Sequence, residues 1–143
     1  MMNIAILDVP VLLDATNPHS SATILSHWCK LYDRGSRLYP SISVTVCSLY
    51  LYAMLRSNNI SSRSSRGFYF LVAAVTTLTM IPYTLLVMMP TNNMLFQARN
   101  FTFSGAETPW EEVRELVIHW QQLHFLRSLF PLAGSVIGML GAF

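Results

Sequence analysis

The run GFYFLVAAVTTLTMIPYTLLVMM, Gly67 to Met89, decides the fold class. It lies in a stretch between Arg66 and Arg99 that holds no Asp, Glu, Lys, Arg or His. A hydrocarbon core about 30 Å thick needs roughly 20 apolar residues in helical form, so this segment reads as a spanning helix. Two further runs share its character. Leu38 to Leu55 is free of charge and opens near Pro40, which a first helical turn tolerates because its missing N–H has no partner there. Ser128 to Phe143 is the other, with Gly134, Gly138 and Gly141 forming a small-residue face suited to close helix contact. Met1 to Leu13 is apolar but carries Asp8 and Pro10. As a helix it rises only about 20 Å, too short to cross alone, and it lacks the basic start of a signal peptide. Strand-like alternation is absent and the apolar runs are long. The expectation is an all-α integral membrane helical bundle in one domain, 1–143, with three full spans at about 38–55, 67–89 and 124–142 and a shortened N-terminal helix at 1–13.

Composition agrees. The chain has 143 residues, of which 11% are charged and 52% hydrophobic. An ordinary soluble domain carries about 25% charged residues, and a globule of this size cannot hide so large an apolar surplus. A net charge of +2 without a Lys/Arg cluster interleaved with aromatics gives no footprint for nucleic acid. Cys29 and Cys47 are too few and too far apart for a disulfide scaffold or a zinc site.

The connections orient the spans. Arg56, Arg63 and Arg66 stand in a stretch without acids, which the positive-inside rule places on the cytoplasmic side. The two other connections, Asp14 to Tyr39 and Pro90 to about Leu123, then face the opposite side. Ile24, Leu25, Trp28, Leu31 and Tyr32 form one apolar helical stripe, with Gly35 placed to end it. Pro90 is expected to halt the preceding segment and Thr91 to Arg99 to form a short helical turn. A new helix begins with Thr108 as N-cap, Pro109 at the first position and Glu111 completing a capping box.

That last helix is the most informative. Val113, Leu116, Val117, Trp120, Leu123, His124 and Arg127 follow steps of three and four, so His124 and Arg127 share the apolar, inward face. Glu112, Glu115, His119 and Gln122 take the solvated one. An inward His and Arg at a membrane boundary are expensive unless something uses them. A snorkelling Arg127 beside a hydrogen-bonded core His124 is the alternative, and periodicity leaves both open. The topology brings Tyr32, Arg34, Arg37, Asn92, Asn93, His124 and Arg127 to one end of the bundle, which suits a flat ligand with a few oxygens. Each has a plainer reading as well. Asn92 and Asn93 cap helices, Trp28, Tyr32, Tyr39 and Trp120 form an aromatic belt, Arg34 and Arg37 contact lipid phosphate, and Thr76, Thr77 and Thr79 bond back to their own helix. The eight methionines read as adaptable packing. No phosphate loop, nucleophile elbow or dinucleotide fingerprint is present.

The strings VPVLLDAT (Val9 to Thr16), HWCKLYDRG (His27 to Gly35), MMPTNNMLF (Met88 to Phe96) and LVIHWQQLHFLRSLFPLAGSVIG (Leu116 to Gly138) resemble the fungal anthrone oxygenases of the noranthrone monooxygenase type. The resemblance runs over nearly the whole chain in order. It implies a four-span membrane protein of the endoplasmic reticulum or derived vesicles that oxidises a polyketide anthrone to the anthraquinone in mycotoxin or pigment biosynthesis. O2 is then the co-substrate, with no cofactor and no metal. Members of the family carry a full apolar span ahead of the VPVLLD-like string, where this sequence has only Met1 to Leu7.

On this resemblance His124 is the base at C10, a histidine having an unperturbed pKa of about 6.5. Arg127 stabilises the anthrolate oxygen, Asn92 or Asn93 bonds the phenol or carbonyl groups, and Trp28, Tyr32 and Trp120 stack on the rings. The implied partners are a small aromatic polyketide and membrane lipid, with a homo-oligomer left open. The competing class is a non-catalytic membrane scaffold or accessory subunit for polyketide enzymes.

Overall fold

A computed structural model describes residues 21–58, 64–106 and 108–143. The elements are α1 (Ser21–Asn58), α2 (Ser64–Leu78), the short α3 (Met80–Tyr83), a π-helical turn at Thr84–Met88, α4 (Met89–Phe103) and α5 (Trp110–Ala142). The described residues contain no strand. Three helical stretches are long and apolar enough to cross a membrane: Ser21–Ser57, Arg66–Phe103 and Trp110–Ala142. Leu49, Phe68 and Leu86 are 62%, 63% and 76% exposed, a surface that lipid accepts and water does not. The expected helix at 1–13, the VPVLLDAT string and Arg63 lie outside the described residues.

The spans are longer than expected because two predicted stops, Gly35 and Pro90, do not stop a helix, and Pro40, expected in a first turn, lies in a helix interior. Gly35 and Pro40 both sit inside α1. In hydrocarbon every backbone polar group needs an internal partner, so a chain crossing lipid keeps its helix through residues that would end it in water. Pro90 likewise does not halt its helix. It occupies the first turn of α4 directly after the π turn. Proline cannot donate to the carbonyl four residues back and crowds it, and a π turn just ahead lets the backbone accommodate both effects. The segment expected as a short turn at 91–99 is the body of α4.

The described chain groups into two compact units: residues 21–37 with Thr84–Leu126, and Leu38–Tyr83 with Arg127–Phe143. In the first, Ile24, Leu25 and Trp28 of α1 are buried, as are Leu95 and Ala98 of α4 and Val113, Val117 and Trp120 of α5. The helix α4 ends in a Schellman turn. Ala106 N–H donates to the Phe101 carbonyl at 3.2 Å and Gly105 N–H to that of Thr102 at 3.4 Å, with Gly105 at φ +91°, a conformation that favours glycine. Thr108 is not the N-cap. Its hydroxyl instead bonds the Ala98 carbonyl at 3.3 Å and meets Thr102 Oγ1 at 3.1 Å, while its carbonyl accepts from Ser21 Oγ at 2.9 Å. The first α5 bond runs from Val113 N–H to the Pro109 carbonyl at 3.3 Å, one residue later than the capping-box signal placed it.

In the second unit the glycine face behaves as read. A Cβ on Gly134 would collide with Thr77 Oγ1, and one on Gly138 would fall 2.5 Å from the Tyr50 ring. A Cβ on Gly141 would fall 2.9 Å from that of Tyr69. Thr77 and Thr79 bond back to Ala73 and Val75 at 2.8 and 2.9 Å, as expected of threonines inside a helix. Tyr50 reaches the Gly134 carbonyl at 3.4 Å, and Tyr83 packs on Phe130 with ring centroids 5.3 Å apart.

Candidate active site

Of the predicted inward face of α5, Val113, Val117, Trp120, His124 and Arg127 are buried and Leu116 and Leu123 half-buried, while Glu112, Glu115, His119 and Gln122 are exposed. Four residues apart, Trp120 and His124 lie one above the other, and their rings stack with centroids 4.9 Å apart and planes at 22°. His124 is only 3% exposed.

Around this pair the first unit assembles aromatic residues from α1 and α4. Trp28 sets its ring edge-to-face against Trp120 at 6.1 Å and against Phe96 at 5.0 Å, and it meets Tyr32 at 5.4 Å. Tyr32 and Phe96 make a further edge-to-face contact at 5.0 Å. The Trp120 indole N–H donates to Asn92 Oδ1 at 2.9 Å. Sequence reasoning did not single out Phe96, although it stands four residues after Asn92 on the same side of α4. Tyr32 and Phe96 keep partly exposed surface, while Trp28 and Trp120 are buried too deeply to be belt residues. The Trp28 Nε1 atom is buried and has no hydrogen-bond partner among the described residues.

The two asparagines separate. Asn92 is 5% exposed and lies inside α4, whose N-cap is Met88, so it is not a capping residue. Asn93, about 100° further round the helix, is exposed and does not join the cluster. Arg34 is exposed too.

Arg127 belongs to the second unit, where its guanidinium carbon lies 5.4 Å from the centroid of the Tyr39 ring. Arg127 and Tyr39 are each 8% exposed. Tyr39, read from sequence as an interfacial belt residue, is therefore the floor under a buried cation. A groove of about 790 Å³ opens elsewhere on the first unit, lined in part by Glu112, Glu115 and His119, on the polar side of α5 and away from His124.

The fold and these contacts define a helical membrane protein whose first unit packs a buried histidine, two indoles and an asparagine together. Residues 28–137 match the anthrone oxygenase family, and the chain belongs to it. It is 42% identical to the anthrone oxygenase tpcL of Aspergillus fumigatus, over 97% of this chain and 81% of that protein. It is 42% identical to the anthrone oxygenase gedH of Aspergillus terreus, over 96% of this chain and 85% of the relative. Identity to the noranthrone monooxygenase of Aspergillus flavus is 37%, over 99% of this chain and 65% of the relative. No solved structure matches.

Proposed function

We propose that this chain oxidises a polyketide anthrone to its anthraquinone with O2 and without a cofactor, in the membrane of the endoplasmic reticulum or of vesicles derived from it. The observation that carries the reading is the placement of His124. It is a buried imidazole stacked on Trp120, beside an asparagine held by the same indole, in a member of the anthrone oxygenase family.

The reaction asks little of the protein beyond a base, hydrogen-bond donors and a dry slot. His124 takes one C10 proton, and the electron pair of the broken C–H bond delocalises toward the C9 oxygen to give an aromatic anthrolate. The anthrolate passes one electron to O2, and the resulting carbon radical and superoxide join at C10. After protonation the C10 hydroperoxide loses its remaining C10 hydrogen as a proton while the O–O bond breaks. Water leaves and the quinone carbonyl forms, so one O2 converts one CH2 to C=O and one water. A positioned base contributes about 10²–10⁴ in rate, and donors aimed at the anthrolate oxygen lower the cost of the first step. Asn92 is such a donor. Tyr32 and Phe96, with surface left exposed, offer the planar substrate its stacking faces, and Trp28 and Trp120 form the wall behind them.

Detergent-purified protein given an anthrone should consume one O2 per quinone formed, followed by an oxygen electrode and by quinone absorbance. Oxidation no faster than in buffer would discard the enzymatic reading in favour of a non-catalytic scaffold.

A further inference from the structure

We propose that Trp120 is a positioning residue that acts through Asn92, turning the asparagine so that its amide NH2, not its carbonyl oxygen, is offered to an oxygen of the aromatic ligand. This rests on the reading of the site given above and adds the source of its polarity.

An indole N–H donates and never accepts. Of the two amide atoms of Asn92, the one that meets Trp120 Nε1 at 2.9 Å is therefore the oxygen, Oδ1. The amide is planar, so holding Oδ1 also sets the direction of Nδ2. An asparagine without this clamp can present either end. Presenting oxygen to a developing anthrolate oxygen would set two negative dipoles against each other, whereas presenting NH2 stabilises it.

The clamp is itself held. Trp120 is 3% exposed, Trp28 stands edge-on to its ring at 6.1 Å and 83°, and His124 covers it at 4.9 Å. An indole bounded in this way keeps the direction of its N–H. Asn92, 5% exposed and inside α4, is anchored by a backbone already committed to helix. One side chain thus carries the proposed base on its ring and sets the proposed donor with its edge. The side chain itself need not touch the substrate.

A double-mutant cycle tests this. Trp120→Phe keeps an aromatic ring for His124 but frees the Asn92 amide, and Asn92→Ala removes the donor. Each should lower kcat/KM for quinone formation by about tenfold, the scale of one directed hydrogen bond. In the double variant the second change should cost almost nothing, because Trp120 has no amide left to direct. Losses that multiply to about a hundredfold would overturn the proposal, since each residue would then act by itself. Asn92→Asp gives an independent reading. At a pH where the new carboxyl is ionised it still accepts from the Trp120 N–H but has no donor, so the indole proton resonance should stay in the hydrogen-bonded range, downfield of its place in Asn92→Ala, while activity falls at least as far as in Asn92→Ala. Asn92→Asp with wild-type turnover at that pH would sink the idea.

A binding arm separates this proposal from the functional reading. Danthron, a dihydroxyanthraquinone, is titrated into wild type and variants and its absorbance followed. Should wild type show no oxygenase activity, a tenfold weaker danthron affinity in both single variants, with no further loss in the double, would still support the clamp. Equal affinity in all four proteins would reject it whatever the turnover.

Discussion

The His124 imidazole is stacked on the Trp120 indole, with centroids 4.9 Å apart and planes at 22°, on the buried face of a helix whose other histidine, His119, is exposed. The two histidines of α5 should therefore differ sharply. His124→Ala is expected to slow quinone formation by at least about tenfold, as loss of a general base requires. His119→Ala should leave the rate near wild type. Equal losses in rate assays on folded, membrane-inserted protein would show that helix packing, not a base, is being measured.

Arg127→Lys should lower the unfolding temperature in detergent although the charge is kept. Lysine lacks the planar fork that stacks on an aromatic face. The Tyr39 ring, 5.4 Å from the Arg127 guanidinium carbon, provides the control. Tyr39→Phe keeps the ring under the cation and should be nearly silent, whereas Tyr39→Leu should behave like Arg127→Lys in the same assay.

Trp28 carries a buried N–H without a hydrogen-bond partner among the described residues. An unpaired buried donor costs about 1–3 kcal/mol, so deleting it relieves that cost while removing packing volume. Thermal unfolding of Trp28→Phe should accordingly shift less than that of Trp28→Ala, which loses the contacts with Tyr32, Phe96 and Trp120 together. A larger loss in the Phe variant would show that the N–H is satisfied in the working protein.

Gly134→Ala and Gly138→Ala should both lower the unfolding temperature in detergent. The added Cβ would meet Thr77 Oγ1 and, at 3.0 Å, the Ala73 carbonyl in the first case, and the Tyr50 ring at 2.5 Å in the second. Overpacking of this kind costs about 1–3 kcal/mol. Gly105→Ala should also destabilise, but for a different reason. Nothing lies within 4 Å of its Cβ, and the strain comes from φ +91° alone. Replacement of Gly105 by Asn, which tolerates that region better than Ala, should recover part of the loss, whereas Gly134→Asn should not.

Orientation has its own reporters in the sequons Asn59-Ile60-Ser61 and Asn100-Phe101-Thr102. With the Arg56 to Arg66 segment on the cytoplasmic side, Asn100, which is exposed at the end of α4, should accept glycan and Asn59 should not. Glycosidase-sensitive mobility that survives Asn100→Gln and disappears in Asn59→Gln would invert the topology.

Much of this was legible in the order of residues. Charge-free runs of spanning length specify helices because lipid offers the backbone no other hydrogen-bond partner, so the all-helical class and three apolar spans follow from composition along the chain. Steps of three and four along α5 place His124 and Arg127 inward and His119 outward, since a helix face is a property of spacing alone. The glycine face of α5 was readable for the same reason. Helix ends were read less well. Gly35, Pro40 and Pro90 carry the same local signals in water and in lipid, and only the surrounding solvent decides whether a helix stops.

Tertiary structure decided which polar groups meet. From sequence Asn92 and Asn93 are neighbours of one type, yet only Asn92 reaches the Trp120 N–H, 28 residues away along the chain. Phe96 joins the cluster, and Thr108 leaves its capping role for Ala98 and Thr102, because α4 approaches α1 and α5 at one particular rotation. Periodicity states which side of a helix is apolar to within a turn. It does not state where that side points against another helix, and a shift of one residue, about 100° of rotation, exchanges one asparagine for the other. The sequence alone thus determined that this protein is helical, apolar enough for a membrane and provided with an inward histidine. The rotation of α4 against its neighbours determined that the histidine shares its indole with an asparagine.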